Sequence, residues 1–385
     1  MSFINSYRFK PPAPLPFIFS VTVTAGQSFQ LPTHPNGAYD CVIDWGDSTS
    51  DVLTIWNDPL RVHTYTAVGT YDIIISGVFK GWGVNNYSDR LKITNLKQWG
   101  ILDFSNGNIR QFWGCNNMIV TATDLPNLSS INKLDLFMGN CRSIVNIPNL
   151  RYWDVSTIIQ QSLTFNDCTL FDGSGLEYWN VAHMTLLERV LAICPANVAP
   201  IGLWVTTAVE NIDGLLRGNT LYNSPLTNWV MDNVTIVGGS GNQAVFTNCI
   251  NFNQPVDHLN WLKVISFRFF LQGATAFNQT MVGVVGPVTT DISSMLRNCP
   301  DFDQSLASWI ITGITDATNF LSGGQLSTLN YDDTLISWSA QAVQPNVTIH
   351  FGTSKYSAGP SPAATARLIL TSAPNNWIIT DGGPI

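Results

Sequence analysis

A chain of 385 residues, 45% of them apolar, is long enough for two or three domains around a continuous core. Charged residues make up only 11%, with three glutamates (Glu177, Glu188, Glu210) and seven lysines, which excludes long exposed helices and leaves the polar positions to Asn, Thr, Ser, Asp and Gly, the residues of turns and strand edges. The net charge of −8, with 18 Lys and Arg scattered singly, presents no basic face to a nucleic acid, and neither a membrane span nor a signal peptide is read.

Residues 1–17 are proline-rich and contain Lys10, Pro11, Pro12 and Pro14, a pattern that stiffens a chain into an extended arm and makes these four residues candidates for an anchor. Residues 18–88 show short alternating strands at Ser20 to Thr24, Cys41 to Asp44 and Tyr71 to Val78, the patterning of a β-sandwich. Within this segment Asp44-Trp45-Gly46-Asp47, His63-Thr64-Tyr65 and Gly69-Thr70-Tyr71 resemble the signature of PKD domains, which are immunoglobulin-like modules of extracellular proteins. The resemblance implies structural roles for Trp45, His63, Tyr65 and Tyr71; the tryptophan that family carries before the first aspartate is Ile43 here. Asp44 and Asp47 are expected first as turn and strand-end residues, with calcium binding left open.

From residue 89 to 330 the chain repeats itself. Cys115, Cys141, Cys168 and Cys194 are separated by 26, 27 and 26 residues, and Cys249 and Cys299 by 50, while the seventh cysteine, Cys41, lies outside the series. Trp153, Trp179, Trp204 and Trp229 keep the same beat at 26, 25 and 25, and Phe252, Phe277 and Phe302 follow at 25, each opening a Phe-Asn-Gln or Phe-Asp-Gln motif. Three residue types on one period indicate a solenoid of about eight or nine coils of about 26 residues, with these side chains stacked in ladders along the core. The thiols are read as small apolar packing groups rather than disulfides or metal ligands, since no Cys-x-x-Cys pair occurs. Each coil is expected to carry a short helix, capped at Thr290-Asp291 and Thr315-Asp316, and a strand after the cysteine, as at Ile144 to Ile147. Between Trp229 and Trp261 the interval grows to 32, and Gly238-Gly239-Ser240-Gly241 marks an inserted surface loop.

Phe252-Asn253-Gln254-Pro255, Trp153-Asp154-Val155-Ser156 and Met295 to Cys299 resemble the repeats of BspA-like leucine-rich-repeat surface proteins, over about Leu96 to Trp338. Residues 331–385, with Tyr331-Asp332, Leu335 to Trp338, Ser354 to Ser357, Ala366-Arg367 and Trp377 to Gly383, resemble the closing unit of such proteins and are read as a cap. The expected fold is thus mainly β with short helices: an immunoglobulin-like sandwich, a leucine-rich-repeat-like solenoid and a C-terminal capping unit.

No motif for a nucleophile, a phosphate loop or a zinc site is found, and the five histidines (His34, His63, His183, His258, His350) are too dispersed for a ligand pair. Glu177, Glu188, Glu210 and Asp213 are read as solvated acids on different repeat phases rather than an acid–base pair. No catalytic residue, cofactor or metal is assigned. The resemblances imply a non-enzymatic structural or adhesive role at a surface. The expected setting is a bacteriophage virion, as a capsid decoration, head fibre or tail adhesin whose partners are other virion proteins, further copies of itself, or a host-surface glycan or protein. A bacterial cell-surface adhesin and a polysaccharide-degrading spike are the alternatives.

Overall fold

The computed structural model describes residues 14–85, 88–105, 110–239 and 243–385. Of the expected anchor, Lys10, Pro11 and Pro12 lie outside the described residues, and Pro14 is exposed. The protein is mainly β with short helices.

Strands form where apolar and polar residues alternate. β1 (Phe17–Val23) turns Phe17, Phe19, Val21 and Val23 inward. β2 is Ser28–Gln30, and β3 (Ala38–Asp44) buries Tyr39, Cys41 and Ile43 while Asp40, Val42 and Asp44 face out. β4 (Ser50–Leu53), β5 (Val62–Thr64) and β6 (Gly69–Lys80) follow, so each strand expected in this segment is present. With β7 (Ile93–Gln98) and β8 (Ile119–Val120) they build a six-stranded sheet ordered β4-β3-β6-β1-β7-β8 and a two-stranded sheet of β2 and β5. Phe29 of β2 meets Phe19 of β1 at 5.9 Å between ring centroids, which brings the small sheet onto the inner face of the large one.

β7 is the joint between this segment and the repeats. It pairs antiparallel with β1 and parallel with β8, and parallel bridges from Lys80 to Asp103 and from Asp103 to Asn127 carry the register onward. The core is continuous across the joint as well, through ring contacts from Phe17 to Trp82, Trp82 to Phe112, Phe112 to Trp99 and Trp99 to Trp153.

In the repeats short parallel bridges run from unit to unit: β9 (Gln160–Ser162) pairs with β10 (Leu186–Glu188), Leu186 bridges to Asn211 and Asn211 to Ile236, and beyond an antiparallel bridge from Gly238 to Ala244 a second run links Ser266, Asp291 and Asp316. This ladder precedes each cysteine. The strand expected at Ile144 to Ile147 is absent: Ile144 and Ile147 point inward three residues apart, while Val145 and Asn146 face solvent. The helices expected after Asp291 and Asp316 are turns. Both aspartates accept from the amide two residues on, Ser293 at 2.8 Å and Thr318 at 2.9 Å. The following amides of Ile292, Ser294 and Leu296 then donate to Asp316, Thr318 and Phe320 of the next unit, so they cannot make the bonds a helix requires. Short 3-10 turns form instead before the tryptophans, at Leu150–Tyr152, Leu176–Tyr178 and Ile201–Leu203.

The C-terminal unit contains α1 (Thr328–Ser339), β11 (Thr348–His350), α2 (Pro362–Thr371) and β12 (Ile378–Thr380). β11 pairs parallel with β12, and Ile349 bridges back to Ala317, so this unit continues the ladder of the repeats. Asp381 ties the unit together by accepting from Arg367 at 2.7 Å and from the Tyr331 hydroxyl at 2.8 Å.

Candidate functional site

Each landmark of the repeat makes a specific contact with its neighbour. The thiols of Cys141, Cys168, Cys194, Cys249 and Cys299 donate to carbonyl oxygens of Phe112, Met138, Phe165, Leu216 and Leu271, 3.0–3.2 Å away in the preceding unit. All seven cysteines are buried and unpaired. Burial pushes the Cys168, Cys249 and Cys299 thiols up to about 12, and Cys115 is raised by the same cause. These thiols are packing groups that also cap a carbonyl.

The tryptophans do the same at larger scale. Indole N–H groups of Trp179, Trp204 and Trp229 donate to Leu150, Leu176 and Ile201 at 2.7–2.9 Å, and Trp153 stacks on Trp179 at 6.0 Å. The phenylalanines stack nearly parallel, Phe252 on Phe277 at 6.1 Å and Phe277 on Phe302 at 6.0 Å. Beside them runs a polar ladder. Asn253 Oδ1 accepts from the Asn278 amide at 3.0 Å and from Gln279 Nε2 at 2.9 Å, and Asn278 Oδ1 accepts from the Asp303 amide and Gln304 Nε2 at 2.9 and 2.8 Å. The Phe-Asn-Gln motif therefore encodes one buried ring and one two-point bond to the next unit.

In the N-terminal segment Trp45, His63, Tyr65 and Tyr71 form one row of rings, with Trp45 stacked on His63 at 4.8 Å, His63 edge-on to Tyr65 at 4.7 Å and Tyr65 stacked on Tyr71 at 4.3 Å. His63 Nε2 lies 2.7 Å from Asp47 Oδ2. Asp44 Oδ1 accepts from the Gly46 amide, and Asp47 Oδ1 accepts from Thr49, as turn residues do. No group of three or more His, Cys, Asp or Glu side chains that could hold a metal ion occurs among the described residues.

Two of the acids differ from expectation. Glu188 and Asp213 share a phase, each nine residues after its tryptophan (Trp179 and Trp204), and Asp213 is buried rather than solvated. Arg189 sits between them, 3.1 Å from Asp213 Oδ2 and 3.6 Å from Glu188 Oε1. Asp213 Oδ1 accepts from the amide of Gly239, at the start of the inserted loop. Burial raises the Asp213 carboxyl despite these partners. Counting from the tryptophan instead of the cysteine reveals the pair. Glu177 accepts from the Gly175 amide at 2.8 Å, and Glu210 is exposed.

Two exposed features stand out against this bonded frame. Tyr152 and Tyr178, at one position of successive repeats, are 59% and 55% exposed, with the Arg151 guanidinium 5.2 and 3.9 Å from their ring centroids. The second is a groove of about 480 Å³, lined by Pro225, Leu226, Thr227, Gln254, Pro255, Asp257 and His258, where the interval between tryptophans lengthens. Neither belongs to the landmark series: Tyr152 and Tyr178 each stand just before a landmark tryptophan, but the next unit carries Leu203 there, so the outward tyrosine recurs only once.

A family model described as Mycoplasma protein of unknown function, DUF285, matches residues 132–244 and 240–334, together more than half of the chain. The chain belongs to the DUF285 family. The two DUF285 matches both fall on the repeats and take in the cysteine, tryptophan and phenylalanine ladders. Neither a curated protein nor a solved structure matches the chain.

Proposed function

We propose that this chain is a non-enzymatic structural or adhesive protein that displays its repeats at a surface, built as an immunoglobulin-like sandwich followed by a leucine-rich-repeat-like solenoid with a C-terminal cap. The carrying observation is the division of labour in the repeat. Thiols, indoles and ladder amides bond to the neighbouring unit, and large side chains such as Tyr152 and Tyr178 are held outward on that rigid frame. A fixed array of exposed aromatic and polar groups suits contact with another surface, because its ordering cost is met in folding. The acids fit this reading: Asp213 has both oxygens engaged, by Arg189 and by Gly239, and Arg189 fills the space between it and Glu188 that an attacking water would occupy in a glycan-cleaving pair.

The carrier is proposed to be a virion, with the chain as a decoration, head fibre or tail adhesin bound to other virion proteins or to copies of itself and facing a host-surface glycan. A second reading, a bacterial cell-surface adhesin, is favoured by the family description, which speaks of a Mycoplasma protein. Mass spectrometry and immunogold labelling of purified particles and of cell envelopes decide between them. Labelled virions support the first and labelled envelopes alone support the second. Recovery of the protein in neither fraction, or release of sugars from host polysaccharide, overturns the adhesive reading.

A further inference from the structure

The exposed Tyr152–Arg151–Tyr178 stack has the composition of a binding site. Arg151 is exposed, and its guanidinium makes no hydrogen bond or ion pair with another described residue, its contacts being with the two tyrosine rings. Its plane is steadied by the two tyrosine rings, an arrangement in which the aromatic faces attract the cation and fix its orientation. The repeat geometry enforces this. Gly175 adopts φ +103°, and a Cβ there would lie 2.9 Å from the Arg151 backbone nitrogen, so only glycine lets the two units approach closely enough for Arg151 to reach Tyr178. The carboxylates flanking the two tyrosines in the chain make local backbone bonds, Glu177 Oε2 to the Gly175 amide at 2.8 Å and Asp154 Oδ1 to the Ser156 amide at 3.0 Å, and neither pairs with Arg151.

The geometry points to a site for a carboxylate-bearing sugar, a uronic or sialic acid residue of a surface glycan. The planar guanidinium offers paired N–H donors that match a carboxylate, and the tyrosines beside it add apolar area and hydroxyls for the sugar ring. This rests on the adhesive reading above and names the ligand chemistry it takes.

The test is titration of the full chain with three acidic probes, oligogalacturonate, a hyaluronan oligomer and sialyllactose, alongside methyl-esterified oligogalacturonate, neutral galactan and poly-aspartate. Saturable binding to at least one acidic glycan is expected. It should weaken about tenfold or more in Arg151→Ala and in Arg151→Lys, which keeps the charge but loses the fork, as expected for a charge-assisted bond of about 1.4 kcal/mol or more. Added salt should weaken it too, and the ester should not bind. Failure of all three acidic glycans, equal binding of ester or poly-aspartate, or an unchanged affinity in Arg151→Ala overturns the site. Binding of wild type and Arg151→Ala to host envelopes separates the two claims: equal retention removes this site and leaves the adhesive reading, whereas no retention of either removes both.

Discussion

The Sγ of Cys194 donates to the carbonyl oxygen of Phe165 across 3.0 Å, and Phe165 lies three residues before Cys168, the equivalent cysteine of the preceding unit. Replacing the thiol-bearing side chain by a methyl group removes one of the two bonds to that carbonyl, which keeps the one from the Cys168 amide at 3.2 Å, and opens a small void. Cys194→Ala should therefore lose about 1–2 kcal/mol of stability by denaturant unfolding. No loss would mean that the thiol is filler alone.

Burial of all seven cysteines, with Cys168, Cys249 and Cys299 held up at about 12, predicts their silence toward thiol reagents. A native sample at pH 8 should release no chromophore from a disulfide reagent, and a denatured one should release seven equivalents. Fast reaction of any cysteine in the native protein would contradict its placement.

Asn278 Oδ1 receives two bonds from the next unit, and the following rung of the same ladder carries Asp303 in its place, accepting from the Ser327 amide at 2.7 Å. An oxygen acceptor is what the position requires. Asn278→Ala should cost about 1 kcal/mol and Asn278→Asp much less. Equal costs in thermal unfolding would refute the ladder as the reason for the motif.

Asp213 is the buried partner of Arg189, whereas Glu188 touches the same guanidinium from a half-buried position. Removing a buried partner strands its mate. Asp213→Ala should destabilise by about 2–4 kcal/mol, and Glu188→Ala by less than about 1 kcal/mol. Matching losses from the two would show that burial does not set the cost.

Burial alone would lift the Asp103 carboxyl, but bonds from Ser105, Lys80 and Ser130 outweigh it and hold the group below its ordinary value; Asp47, Asp72 and Asp303 are lowered in the same way. A carboxyl whose folded pKa lies below its unfolded one contributes stability above the unfolded value, about 3.9, and loses it as pH falls through the folded one. Asp135 and Asp213, raised by burial, act oppositely and lose stability as pH rises from their unfolded toward their folded values. The melting temperature should thus drop as pH goes from 5 to 3, with a shallower slope in Asp103→Asn. An unchanged slope in that variant would remove Asp103 from the effect.

Inward-facing side chains made the repeat readable, because a buried thiol or indole must satisfy the same neighbour in every unit and so recurs at a constant interval. Local conformation was less legible. Asp291 and Asp316 look like helix caps in one dimension, and the competing acceptors that turn the chain aside belong to the next repeat, 25 residues away. The Arg151 clamp was hidden for a related reason: the repeated tyrosine before Trp153 and Trp179 is visible in the sequence, but the guanidinium that joins Tyr152 to Tyr178 reaches into the next unit, 27 residues on.

The hydrogen bonds between repeats bridge each unit to the next, with donors on both sides, and β7 welds the first of them to the N-terminal sheet. A tether pulling the ends of the repeat region apart would load these bonds along their own direction, opening them one rung at a time rather than shearing many together. Each unit peeled off would pay out its slack of 25 residues, about 80 Å of chain. The repeat region would then lengthen in steps under tension while the units at both ends stay folded.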